Sequence, residues 1–138
     1  MKRARITQRR AAGTGHQVVR VEGGAPLYRR EPCAGCPWRI DQAGGFPPEA
    51  FRHSANTAYD AAIETFACHE SGLEKPAICA GFLLRGAVYN LSVRLKSAVG
   101  QLRQDVGDGG HALFENYRAM AIANGVAPGD PALARCRD

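Results

Sequence analysis

Pro32-Cys33-Ala34-Gly35-Cys36-Pro37-Trp38-Arg39 is the stretch on which the fold turns, because its two thiols call for two more. Cys68 and Cys79 supply them, giving the spacing C-x2-C-x31-C-x10-C across the middle of the chain. A C-x2-C turn lets two sulfurs converge on one metal centre, and Gly35 offers the tight backbone that this needs. One such turn is common by chance. Two further cysteines, one beside His69 and one in the first turn of a predicted helix, point instead to a domain built around a metal held by Cys33, Cys36, Cys68 and Cys79.

The bulk numbers agree with a metal-stapled domain. A chain of 138 residues has room for one domain with a modest core, and 16 glycines and 8 prolines commit much of it to turns. Four side chains on one metal would cross-link such a core. No apolar run is long enough to span a membrane, and no apolar segment of a secretory signal follows the basic N-terminus, so a cytoplasmic location is expected. Thiols stay reduced there, and a cysteine framework then reads as metal-binding or catalytic rather than as disulfides. Of five cysteines, Cys136 is left over. It reads as a structural or exposed bystander, or as a thiol that replaces a ligand when a cluster is oxidised.

The net charge of +5 is unevenly spread. Residues 1–30 carry eight Lys or Arg against the single acid Glu22, so the basicity belongs to the leader. Residues 1–17 show no hydrophobic period and are expected to form a flexible basic arm, with the metal-binding domain over 18–138. Within the arm Lys2, Arg3, Arg5, Arg9 and Arg10 are the candidate contacts to nucleic acid, since flexible cationic segments bind phosphate backbones with little sequence preference. The bland alternative is a solubilising tail.

Periodicity places the remaining elements. Gln17 to Val21 reads as a short strand. Pro48 opens a helix over 48–62 with Phe51, Ala55, Ala58 and Ala62 on one face, and 63–68 alternates as a weak strand. Pro76 opens a long helix to Gly100, with Leu84, Leu91 and Leu95 widening its apolar surface and implying burial on more than one side. A further helix is predicted over 111–123, with Leu113, Phe114, Tyr117, Met120 and Ala121 facing in. Asp130-Pro131 caps a last short helix that includes Cys136. The fold class is α+β, mainly helical, in one small domain organised around the four-cysteine site.

The metal is read from the spacing. Zinc sites favour two C-x2-C knuckles, and this chain has one. A second pair spread over ten residues, with Pro37 directly after Cys36, is closer to cluster-binding proteins, so a 4Fe-4S cluster ranks ahead of zinc. Trp38, Phe66, Ile78 and Phe82 would give apolar cover, with Trp38 and Phe82 packed directly around the ligands. Lys75, Arg39 and Arg85 are near enough in sequence to offset anionic charge. His69 borders the ligands or lies on the surface on this reading, because a side chain next to Cys68 points to the opposite face if the backbone there is extended.

As an ordered set, Pro32-Cys33-Ala34-Gly35-Cys36-Pro37-Trp38-Arg39, Phe66-Ala67-Cys68-His69 and Cys79-Ala80-Gly81-Phe82 resemble an uncharacterised family of small four-cysteine proteins of bacteria, notably actinobacteria, and their phages. The resemblance covers residues 31–85 and implies a shared metal site and a phage or mobile-element origin.

Three functions follow for comparison. The first is a regulatory metalloprotein that binds nucleic acid or the transcription machinery. The second is a zinc-stabilised interaction module, for instance a phage factor that binds a host protein. The third is a thiol enzyme, which ranks last. The C-x-x-C neither follows an apolar strand nor opens a helix as redox pairs do, and no nucleophile–base set, phosphate loop or paired carboxylates appear.

Overall fold

The computed structural model describes residues 5–13, 16–22, 27–71 and 76–137, with side chains from residue 27 onward. Among the described residues are two small sheets and three short α-helices, joined by 3-10 and π turns. The strands β1 (Arg5–Gly13) and β2 (His16–Glu22) pair antiparallel, from Arg5 opposite Glu22 to Gly13 opposite His16. Both lie alongside α1 (Pro48–Ser54). Where the sequence suggested a flexible arm over 1–17, backbone 5–13 is a strand. The reason lies in its partner: β2 carries Val18, Val19 and Val21, and its free backbone edge pairs with any extended neighbour. Lys2 and Arg3 lie outside the described residues.

The second sheet sets the site. β3 (Leu27–Tyr28) runs parallel to β4 (Ala77–Ile78), and the Arg29 N–H continues the ladder to Ile78 O at 2.9 Å. On the other edge of β4, Ala67 bridges Ile78 antiparallel, with Cys68 N–H donating to Ala77 O at 2.7 Å and Cys79 N–H to Phe66 O at 2.9 Å. The weak strand expected at 63–68 therefore survives only as its last residues.

The long helix expected from Pro76 is three pieces. After β4, helical residues 80–81 pass into a π turn, Phe82–Gly86, and a new helix, α2 (Leu91–Ala98), follows. Asn90 makes the break. Its backbone is extended, its Oδ1 accepts the Val93 N–H at 3.0 Å, and its Nδ2 donates to Thr57 O at 3.1 Å and Glu64 O at 2.8 Å. An asparagine that caps a helix and satisfies two carbonyls gains more than one more helical turn would. Leu91 and Leu95 are 40 % and 58 % exposed, against the expected burial on several sides.

Elsewhere the expected elements are shortened. α1 begins with Pro48 as its first residue, as read, but tightens into a 3-10 turn, Ala55–Ala58, and ends there instead of at residue 62. α3 (Tyr117–Ala123) starts after Asn116, whose side chain accepts the Ala119 N–H. Residues 112–114 pair instead with 38–40: Ile40 N–H donates to Ala112 O and Phe114 N–H to Trp38 O. Asp130 caps the 3-10 turn Pro131–Leu133, and Cys136 lies beyond it, bridging Tyr59.

Trp38, Phe51, Phe82, Tyr117, Met120 and Leu133 form the buried centre. Trp38 meets Phe66 and Tyr117 edge-on, each at 5.9 Å between centroids, and Phe66 stacks on Phe82 at 6.1 Å. Burial of rings this size supplies the largest apolar contribution in so small a core. No described helix is long and apolar enough to cross a membrane.

Candidate metal centre

Three segments deliver the four predicted cysteines to one place. In the first, the Cys36 N–H donates to Cys33 O at 3.1 Å and the Arg39 N–H to Cys36 O at 3.0 Å, so two successive turns hold the Cys33–Cys36 pair. In the second and third, the antiparallel pairing around Ala67 and Ile78 places Cys68 and Cys79 each one residue from the bridge, on the same face of the ribbon. That register is what a spacing of ten residues hides in the sequence. Ser71 fixes the turn between them by donating from Oγ to Cys68 O at 2.7 Å and accepting the Ala77 N–H at 3.0 Å.

The sulfurs follow one another in an arc. Cys79 Sγ lies 3.6 Å from Cys36 Sγ, Cys36 faces Cys33, and Cys33 faces Cys68. All are free thiols, three buried and Cys33 half-buried. Two also receive the backbone N–H two residues on, Cys36 from Trp38 and Cys68 from Glu70, the direction of hydrogen bonding that favours thiolate. Crowding has the opposite effect. Hydrogen bonding to Cys36, with burial, pushes Cys33 up to about 11. Cys36, which its bond from Cys33 lowers, is still pushed up to about 12 by Cys79 and burial. Cys33 and burial likewise raise Cys68. Thiols this close cannot all ionise without a cation among them.

Charge around the arc is consistent with that need. The Arg29 guanidinium faces Cys68, with Cys33 and Glu70 further off, and its Nε is buried without a hydrogen-bond partner among the described residues. A half-exposed cation aimed at a thiol cluster fits an anionic tetrathiolate centre. Arg39 holds the knuckle from behind: Nη1 donates to Ala34 O at 2.9 Å and Cys33 O at 3.4 Å, and Asp41 grips its other edge at 2.9 and 2.6 Å. Of the cations near in sequence Arg39 is thus at the site, and Lys75 lies outside the described residues. Sequence reading missed Arg29. Its signal was present only as a residue following a two-residue strand.

His69 differs from the alternation argument. A 3-10 turn, His69–Ser71, begins directly after Cys68, so the imidazole swings back and Nδ1 lies 3.5 Å from Cys33 Sγ. Phe46 meets the ring edge-on at 5.2 Å, and burial lowers its pKa, favouring the neutral form. Cys33, His69 and Glu70 place their ligand atoms within 4.8 Å of one another. Gly35 is needed for this approach, since a Cβ there would stand 3.2 Å from His69 Nε2, and not for an unusual backbone angle.

Trp38 and Phe82, the other residues expected around the metal, are fully buried. Trp38 touches the site through its backbone N–H to Cys36, while its ring lies against Gly81 and Gly86. Cys136 stands apart: its thiol donates to Ala55 O at 3.8 Å, and burial pushes it up to about 11. Arg5, Arg9 and Arg10 lie in β1, and no described contact joins that strand to the thiols.

No curated protein and no solved structure matches the chain. A family model described as "Family of unknown function (DUF6283)" matches residues 28–137, a span that holds all the cysteines and begins after the β1–β2 hairpin. The chain belongs to that family.

Proposed function

We propose that the protein is a small metalloprotein that acts by binding, with Cys33, Cys36, Cys68 and Cys79 as ligands of a 4Fe-4S cluster and the basic N-terminal hairpin as a contact to nucleic acid. One observation carries the metal reading: four reduced thiols from three segments succeed one another in space, beside a guanidinium whose largest interaction is with Cys68. A cluster with a thiolate on each iron would need these sulfurs to open outward around it. The cluster would supply redox chemistry and lability to oxidants. The chain's own part is to hold the sulfurs by the two turns and the ribbon, to bring Arg29 and backbone N–H groups to them, and to exclude water with the aromatic core. The basic hairpin supports the nucleic-acid part, since a two-stranded ribbon is narrow enough for a major groove.

Zinc is the second reading, together with a protein-binding role. The 3.6 Å between Cys36 and Cys79 sulfurs favours it, being close to the edge of about 3.8 Å in a tetrahedral ZnS4 site. Purification without oxygen, a visible spectrum, and counts of iron and zinc per chain separate the two. A brown protein with iron supports the cluster, and a colourless one with a single zinc supports the alternative. Retention of metal by a Cys36→Ser variant at the wild-type level would overturn both. Nucleic-acid binding is expected to weaken steeply with salt and to vanish on removal of residues 1–12.

A further inference from the structure

Helix α2 is turned the wrong way round for a core helix. Its buried apolar residue is Val93, while Leu91, Leu95 and Val99 are 40 %, 58 % and 71 % exposed and Val88, just before the helix, is 65 % exposed. At 100° per residue, Leu91, Leu95, the exposed Ala98 and Val99 fall within about 100° of one another, opposite Val93. Three large apolar side chains along one helix face, with Val88 exposed just before it, are what a soluble domain covers with a partner. The row also has a charge. Residues 85–104 contain Arg85, Arg94, Lys96 and Arg103 and no acid. Arg94 lies on one flank of the row and Lys96 on the other, and among the described residues no ion pair involves Arg85, Arg94 or Arg103.

We propose that this face binds an acidic amphipathic helix of another protein, whose apolar stripe covers Val88, Leu91, Leu95 and Val99 and whose carboxylates meet Arg94 and Lys96. Nucleic acid would use the cations and leave the row of aliphatic groups wet. A second copy of this face would set cation against cation. A helix of two turns held by its Asn90 cap is also short for a membrane-surface anchor. A partner helix satisfies both halves of the pattern, in the helix-to-groove mode of recognition. The surface is separate from the cysteines, so it stands whichever metal they hold.

The test uses the full-length protein and a fluorescent synthetic peptide with leucines at i, i+3, i+4 and i+7 and glutamates elsewhere, beside a peptide of the same composition with the leucines scrambled. The periodic peptide is expected to bind at least about tenfold more tightly than the scrambled one, with affinity falling as salt rises. Leu95→Glu and Arg94→Glu are each expected to weaken it about tenfold, while metal content and thermal unfolding stay at wild-type values, both residues being exposed. Equal binding of the two peptides, no binding of either, or no effect of both variants would overturn the proposal. So would Leu95-dependent sedimentation with phosphatidylserine vesicles without peptide binding, which assigns the face to a membrane, or Leu95-dependent self-association, which assigns it to a second copy.

Discussion

Gly81 stands directly against Trp38: a Cβ on Gly81 would lie 2.4 Å from the tryptophan Cβ. Five residues on, a Cβ on Gly86 would lie 2.5 Å from ring Cη2 of the same indole. The interval matches the π turn between them, in which i and i+5 are the hydrogen-bonded partners. Two glycines thus make a flat seat for the tryptophan that follows the cysteine knuckle. Gly81→Ala and Gly86→Ala are each expected to destabilise the protein by about 1–3 kcal/mol through overpacking. Denaturant unfolding measures this, and unchanged midpoints for both variants would show that the indole seat is soft.

Asn90→Leu removes a helix cap and leaves the carbonyls of Thr57 and Glu64 without their side-chain donor. The expected loss is about 2–4 kcal/mol in chemical denaturation. An Asn90→Ser variant keeps a helix-capping oxygen without the two bonds donated by Nδ2, and is expected to fall between wild type and Asn90→Leu. If Asn90→Ser is as stable as wild type, the donated bonds contribute nothing.

The thiols give the metal-free protein a stability that depends on pH. Cys33 and Cys36 are raised to about 11 and about 12 in the fold, so folded chains keep protons that unfolded chains release near the ordinary thiol value of about 8.5. Stability is therefore fully present below about 8.5 and is lost as pH rises through the folded values. Metal uptake runs the other way: it displaces these protons, and affinity strengthens as pH rises toward neutrality and beyond. Unfolding midpoints of metal-free protein from pH 7 to 10, and proton release on loading, check both slopes. A midpoint that climbs over that range would contradict the assignment.

Cys136→Ala is expected to keep the wild-type metal content and cost about 1 kcal/mol for a weak hydrogen bond and a little buried volume. His69→Ala is expected to bind cobalt(II) with the same sulfur-to-metal absorption as wild type if the imidazole only borders Cys33. Loss of intensity in the thiolate bands would instead make His69 a ligand.

What the sequence disclosed follows from which signals are local. Pro48 and Asp130 announce helix starts through their own backbone and side chain, and both stand where they were expected. The C-x2-C turn is likewise local. Asn90 was hidden because it falls inside a helical period, and only carbonyls from Thr57 and Glu64, distant in sequence, make it a boundary. The direction of His69 rested on an extended backbone, and the chain leaves that state at Cys68, which brings the imidazole beside Cys33. Gly81 and Gly86 fall inside the long helix expected from Pro76, while their use is to admit a ring from another segment.

The ladder that joins Leu27 to Ala77 and Tyr28 to Ile78 has a consequence for how the chain assembles. Two residue pairs reward the closure of a loop that contains the knuckle, α1 and Cys68, and so little local gain cannot nucleate so remote a meeting. Collapse of the aromatic side chains, or capture of the sulfurs, must come first, and the strands then lock a geometry already reached. The ladder is the latch of this domain rather than its seed.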